Sequence, residues 1–119
     1  MPTDTTTVDP SGIDAQLPTD VVFDLLSDAR RRYALYYLSQ RVGAITLEEL
    51  VDGVVHHEGP VTDDQFVDVT LSFQHNHLGK LVDAGVVRYE PATTRIDREP
   101  AATALDPYLE LVFDGGASS

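Results

Sequence analysis

Four polar residues, Gln65, Ser72, Asn76 and Lys80, recur in a segment whose apolar residues repeat with a helical period. Ser72, Asn76 and Lys80 are spaced one turn apart, and Gln65 lies two turns before Ser72. Asn and Gln side chains can bond the adenine edge through two atoms, and Lys can reach guanine or phosphate. Three arginines follow closely, Arg88, Arg95 and Arg98, a residue type suited to phosphate or minor-groove contact. The plain alternatives are a solvated helix face, and pairing of the arginines with Glu90, Asp97 and Glu99 among them.

Other groups that could do chemistry have weaker patterns. In His75-x-His77 the two rings diverge by about 200° on a helix, so they cannot chelate one ion. Chelation needs a four-residue spacing or ligands from elsewhere. His56-His57 is adjacent in the same unhelpful way, and His77 is expected to pack near Phe66, Thr70 and Phe73. A metal sensor built across two chains is a minor alternative. Glu48 and Asp52 share a helical face, but a hydrated acidic surface accounts for them. There is no cysteine, no phosphate-binding glycine loop and no triad pattern, so neither an enzyme nor a cofactor or metal is expected.

The element that must position the polar face runs from Phe66 to Glu90 and is expected to begin as a helix and end as a strand. Stepping 100° per residue from Leu78 places Val67, Leu71, Leu78, Leu81 and Val82 on one apolar stripe. Ala84-Gly85 stops the helix, and Val86-Val87-Arg88-Tyr89 reads as strand. Pro91-Ala92-Thr93-Thr94 is turn-like, so Arg95-Ile96-Asp97 can return as the partner strand.

Upstream, Thr19 is expected to cap a helix from Asp20 to Leu26, and Ser27 a second from Asp28 to about Gln40. Arg31 falls on the core stripe of that second helix and needs a carboxylate partner. Ala44-Ile45-Thr46 is a short extended link. Thr46 with Glu49, and Thr62 with Gln65, match capping boxes that open a third helix, Leu47 to about His56, and the long helix. Downstream, 99–105 reads as a linker. Asp106-Pro107 is a helix start, and Tyr108, Leu109, Leu111, Val112 and Phe113 make a helix that is apolar nearly all round. Such a helix must dock, on its own domain or on a second copy as a dimerisation element. The organisation expected is an acidic disordered tail (1–18), one domain (19–98), then a linker and docking helix with a disordered end (99–119).

The chain has 119 residues and a net charge of −12. All eight bases lie between Arg30 and Arg98 with ten of the twenty carboxylates, so that segment carries −2 and the flanks −10. Fourteen Asp, six Glu, seven Arg and a single Lys resemble the usage of haloarchaeal proteins, where hydrated carboxylates keep a surface soluble in molar salt. The N-terminus has no basic or long apolar stretch, and no run is long enough to span a bilayer. A soluble, cytoplasmic protein without membrane contact is expected.

The pattern His77-Leu78-x-x-Leu81-x-x-Ala84-Gly85-Val86-Val87 resembles the end of the recognition helix and first wing strand of ArsR-like winged-helix repressors. Leu26-Ser27-Asp28-Ala29-Arg30-Arg31-Arg32 with Leu35 and Leu38 resembles their first helix. Together with Leu71-x-x-x-His75-x-His77-Leu78-x-Lys80-Leu81, it is similar to a family of small haloarchaeal winged helix-turn-helix proteins over about residues 20–98. The resemblance implies a mainly α chain with a small β-hairpin (α+β, winged helix-turn-helix). It also implies a transcription regulator that binds double-stranded DNA as a homodimer. The alternative is a winged-helix module that binds a protein partner instead.

Overall fold

In the computed structural model, which describes residues 17–114, the chain is mainly helical with a small antiparallel sheet. The expected tail (all but residues 17 and 18) and the expected disordered end lie outside the described residues.

Helix α1 (Thr19–Leu26) leads through Ser27 and Asp28 to α2 (Ala29–Ser39). Two expected caps are corrected. Thr19 is already helical, and its predecessor Pro18 makes no side-chain cap. At α2 the cap is Asp28 rather than Ser27, because its carboxylate accepts from the Arg30 and Arg31 amides at 2.9 and 3.0 Å. An anion at a helix start also meets the positive end of the helix dipole. β1 (Ile45–Thr46) follows, then α3 (Leu47–Glu58).

Both capping boxes form. The Thr46 hydroxyl accepts from the Glu49 amide and the Glu49 carboxylate accepts from the Thr46 amide; Thr62 and Gln65 do the same. The long helix comprises α4 (Asp63–Ser72), a π-helical turn (Phe73–His77) and α5 (Leu78–Asp83). The Leu78 amide donates five residues back to the Phe73 carbonyl, so the turn holds one residue more than an α-turn.

That extra residue overturns the expected apolar stripe. It rotates the first half of the helix by roughly 100° relative to the second. The inward residues are Val69, Phe73, His77, Leu78 and Leu81, whereas Val67 and Leu71, before the turn, are rotated out to solvent. Val82, in the same half as Leu78 and Leu81, is exposed at the edge of their stripe rather than through the turn.

Gly85, at φ 77°, ends α5, and the chain enters β2 (Val87–Glu90) and β3 (Arg95–Arg98). The two strands pair antiparallel with Tyr89 opposite Ile96, and β1 adds to β3 through Ile45 opposite Ile96, giving the order β1-β3-β2. One continuous core joins the layers: Leu25, Leu35, Leu50, Val54, Phe73, Leu81, Val86 and Ile96 are among its members.

The segment after β3 is not a linker. Pro100–Leu105 forms a 3₁₀-helix that buries Ala102 and Leu105, followed by α6 (Asp106–Leu109) and a π-turn (Glu110–Asp114). Asp106 is not the cap expected of it, since Leu105 holds that position and the Asp106 carboxylate pairs with Arg98. The five residues expected to dimerise divide. Leu109 is buried in its own chain, and Phe113 is half-buried, stacked on Tyr36 with ring centroids 4.6 Å apart and edge-on to Tyr33. Tyr108, Leu111 and Val112 face outward. Among the described residues, no helix is long and apolar enough to cross a membrane.

Candidate nucleic-acid interface

The long helix and the β2–β3 ribbon adjoin directly, because the Val86 amide donates to the Leu81 carbonyl at 3.2 Å. The ribbon has two faces. Val87 and Ile96 are buried and Tyr89 is partly buried, whereas Arg88, Glu90 and Arg95 are exposed.

The sequence candidates fare unequally. Asn76 is exposed in the π-turn, together with Gln74 and His75, which the unbroken helical period did not single out. Ser72 is half-buried. Gln65 is exposed, but its side-chain oxygen accepts from the Thr62 amide at 2.8 Å, so capping occupies it. Lys80 turns to α1, where its Nζ lies 3.1 Å from Asp24 Oδ2.

On the ribbon, Arg88 pairs with Glu99 at 3.1 Å and with Asp97 at 3.5 Å. Arg95 pairs with Asp97 at 3.2 Å. Arg98 is held by Asp106. The remaining bases are engaged as well: Arg30 with Glu58, Arg31 in the core, Arg32 with the Leu26 carbonyl, and Arg41 over the Tyr37 ring. Each of the eight bases therefore has a partner inside the chain. Lys80 lines a cleft with Asp20, Asp24 and Asp83, whereas Arg88 and Arg95 line another with Glu90 and Asp97.

Beneath the helix lies the most polar part of the core. Arg31 is 4 % exposed, and its guanidinium donates to the Asp24 carbonyl at 2.7 Å and to the Leu25 carbonyl at 3.3 Å, with the Asp24 carboxylate 4.0 Å away. The edge carboxylate expected for Arg31 is thus Asp24. Nη1 of Arg31 lies 3.2 Å from His77 Nδ1. A guanidinium only donates, so Nδ1 is the accepting nitrogen and the His77 proton sits on Nε2, which faces Asp28 Oδ1 at 3.9 Å. His77 also meets the Phe73 ring edge-on at 4.9 Å and is the packed histidine expected. His75 points outward and His77 inward, and among the described residues no group of three His, Asp or Glu is placed to hold a metal.

Burial lowers the His77 pKa from its ordinary 6.5; the Asp28 charge opposes this and the Arg31 charge reinforces it. Burial pushes Asp28 up, but the Arg31 amide, the His77 charge and the Arg30 amide outweigh it and hold its carboxyl below 3.8. The unfolded chain therefore binds protons at His77 that the folded chain refuses. Stability from this site is complete above about pH 6.5 and is lost as pH falls below it; the Asp28 contribution is lost further down, below 3.8. A urea midpoint that is flat at higher pH and declines below about 6.5 is the expected result, with a shallower decline in His77→Gln. An equal decline in the variant would place the titration elsewhere.

A family model described as a domain of unknown function, DUF7344, matches residues 23–97, well over half of the chain. The match runs from within α1 to β3 and leaves out the C-terminal helices. No curated protein and no solved structure matches the chain.

Proposed function

We propose that this chain, which belongs to the DUF7344 family, is a winged-helix DNA-binding regulator of transcription that acts as a homodimer in a high-salt cytoplasm. The observation that carries the reading is the long helix, which presents Gln74, His75 and Asn76 to solvent and passes within a few residues into a paired β-ribbon. The order of two helices, a short strand, two further helical segments and a hairpin supports the winged-helix reading. Asn76 supplies the adenine-reading amide, and Arg88 and Arg95 stand on the outer face of the ribbon.

The ion pairs of these arginines do not bar phosphate contact. Exposed pairs contribute about 0–1 kcal/mol each, so a phosphate can replace the carboxylate partner at little cost. Molar salt removes most of the counterion-release drive, which leaves specificity to base edges and shape. The homodimer is supported by Tyr108, Leu111 and Val112, which stay exposed beside the docked Leu109.

The test is enrichment of genomic duplex fragments by the full chain in molar KCl. Selective enrichment is expected, with two chains per site by mass. Asn76→Ala should weaken binding by about 1–3 kcal/mol and relax specificity at an adenine. Lys80→Ala should weaken binding less, since Lys80 must first leave Asp24. Absence of enrichment at every salt concentration would favour the second reading, a winged-helix module for a protein partner. Two observations support that reading: every base is paired internally, and the first two turns of the long helix carry exposed Asp63, Asp64 and Asp68.

A further inference from the structure

The outward ridge of the long helix is aliphatic. Val67 is 53 % exposed, Leu71 45 % and Val82 41 %. Residues four apart lie one above another on a helix, and the exposed His75 and Gly79 continue the spacing of Val67 and Leu71. At Gly79 a side-chain carbon would meet no atom within 4 Å, so the ridge has an open notch there. Single exposed aliphatics are ordinary, whereas Val67 and Leu71 adjoin one turn apart, with Val82 further along beyond His75 and Gly79.

The surroundings of the ridge specify its partner. Exposed carboxylates of Asp64, Asp68 and Asp83 lie on the same helix, and Asp20 and Asp24 share a cleft with Asp83. Lys80, the one base on this helix, is turned to Asp24. A second copy of the chain would bring its own Asp64, Asp68 and Asp83 to the contact and set like charges together. Phosphates would meet the same carboxylates. A linear ridge spanning roughly 22 Å between Val67 and Val82, notched at a glycine, suits a second helix laid along or across it.

We propose that this ridge docks a basic amphipathic helix of another protein. Its apolar stripe lies on Val67, Leu71 and Val82, and its Lys or Arg side chains face Asp64, Asp68 and Asp83. Apolar contact supplies affinity that salt does not screen, and the charges supply orientation. The surface exists independently of base reading by Asn76. Where both operate, partner and DNA exclude each other, because Asn76 is the immediate neighbour of His75 on the same helix.

The probe is a fluorescent helical peptide of about 18 residues with Leu at core-facing spacing and Lys elsewhere, titrated with the full chain in about 0.15 M KCl, where the Debye length of about 8 Å leaves the charges effective. A second peptide carries Glu in place of every Lys. Saturable one-to-one binding of the Lys peptide is expected, weakened about tenfold or more both in Leu71→Ser and by the Lys-to-Glu exchange. Leu71 is exposed, so the variant keeps its fold, checked by its melting temperature. Equal binding of both peptides, unchanged binding by Leu71→Ser, or no binding would overturn the proposal. So would loss of duplex binding in Leu71→Ser with peptide binding intact, which would make the ridge a base-reading surface. Absence of DNA binding alone bears on the regulator reading and leaves the peptide result standing.

Discussion

Phe73→Ala is expected to destabilise the fold by about 3–5 kcal/mol, and Leu71→Ala by no more than about 0.5 kcal/mol. Phe73 is fully buried at the start of the π-turn and packs on His77, whereas Leu71, two residues earlier, is 45 % exposed. The first substitution leaves a cavity bounded by elements that cannot all collapse into it. The second removes a side chain that already touches water. Against the roughly 5–15 kcal/mol of an ordinary domain, the Phe73 loss is large enough to lower the urea midpoint steeply. An uninterrupted helix phased on Leu78 would reverse this ranking. Measured losses in the reversed order would therefore remove the π-turn from the account, and with it the outward ridge.

Arg31→Ala is the second large effect, at about 3–4 kcal/mol. The guanidinium is the polar centre under the long helix and bonds the Asp24 and Leu25 carbonyls at the end of α1 and His77 on the long helix. Its removal takes the guanidinium donor from the Leu25 carbonyl and the His77 ring nitrogen, each loss costing about 1–3 kcal/mol where water cannot reach, while the Asp24 carbonyl keeps the Ser27 amide and hydroxyl. Partial water entry beside the half-exposed Asp24 keeps the total below the simple sum. Arg31→Lys should recover little, because an ammonium cannot serve these acceptors with a planar fork. A second readout separates this from simple loss of packing. Without the Arg31 charge, His77 is easier to protonate, so the decline in stability below about pH 6.5 should become shallower. An unchanged pH profile would mean that Arg31 and His77 are not coupled as their geometry indicates.

Local chemistry made some of this fold legible in the sequence. Thr46 with Glu49 and Thr62 with Gln65 identify two helix starts, because a capping box closes within four residues. Gly85 and the β-branched run after it mark the turn into the ribbon, and Ile96 marks the return strand. Arg31 on an apolar stripe signalled a buried cation, and Asp24 answers it. The π-turn had no such signature, since Phe73–His77 contains neither proline nor glycine and each residue suits an α-helix equally well. The misplacement of Val67 and Leu71 follows from it.

The candidate interface was the less legible part. Lys80 finds Asp24 fifty-six positions earlier, and Arg30 finds Glu58 twenty-eight positions later. Pairings at such separations depend on how helices cross, not on local spacing. Arg98 with Asp106 was hidden for another reason, because the residues after β3 were read as a linker when they fold back onto the body. The C-terminal helix was apolar all round for two causes at once. Leu109 and Phe113 serve the interior, and Tyr108, Leu111 and Val112 do not.

The sheet order has a consequence for self-association at high ionic strength. β2 forms an outer edge, where unpaired backbone groups invite an additional strand from a neighbouring molecule. Arg88 and Glu90 project from that short strand and Pro91 follows it directly. Charges and an early proline are the usual guards against edge-to-edge stacking. Salt blunts the repulsion between the charges but not the missing amide of the proline, so resistance to fibrous aggregation at high ionic strength falls mainly to Pro91 and to the four-residue length of the strand.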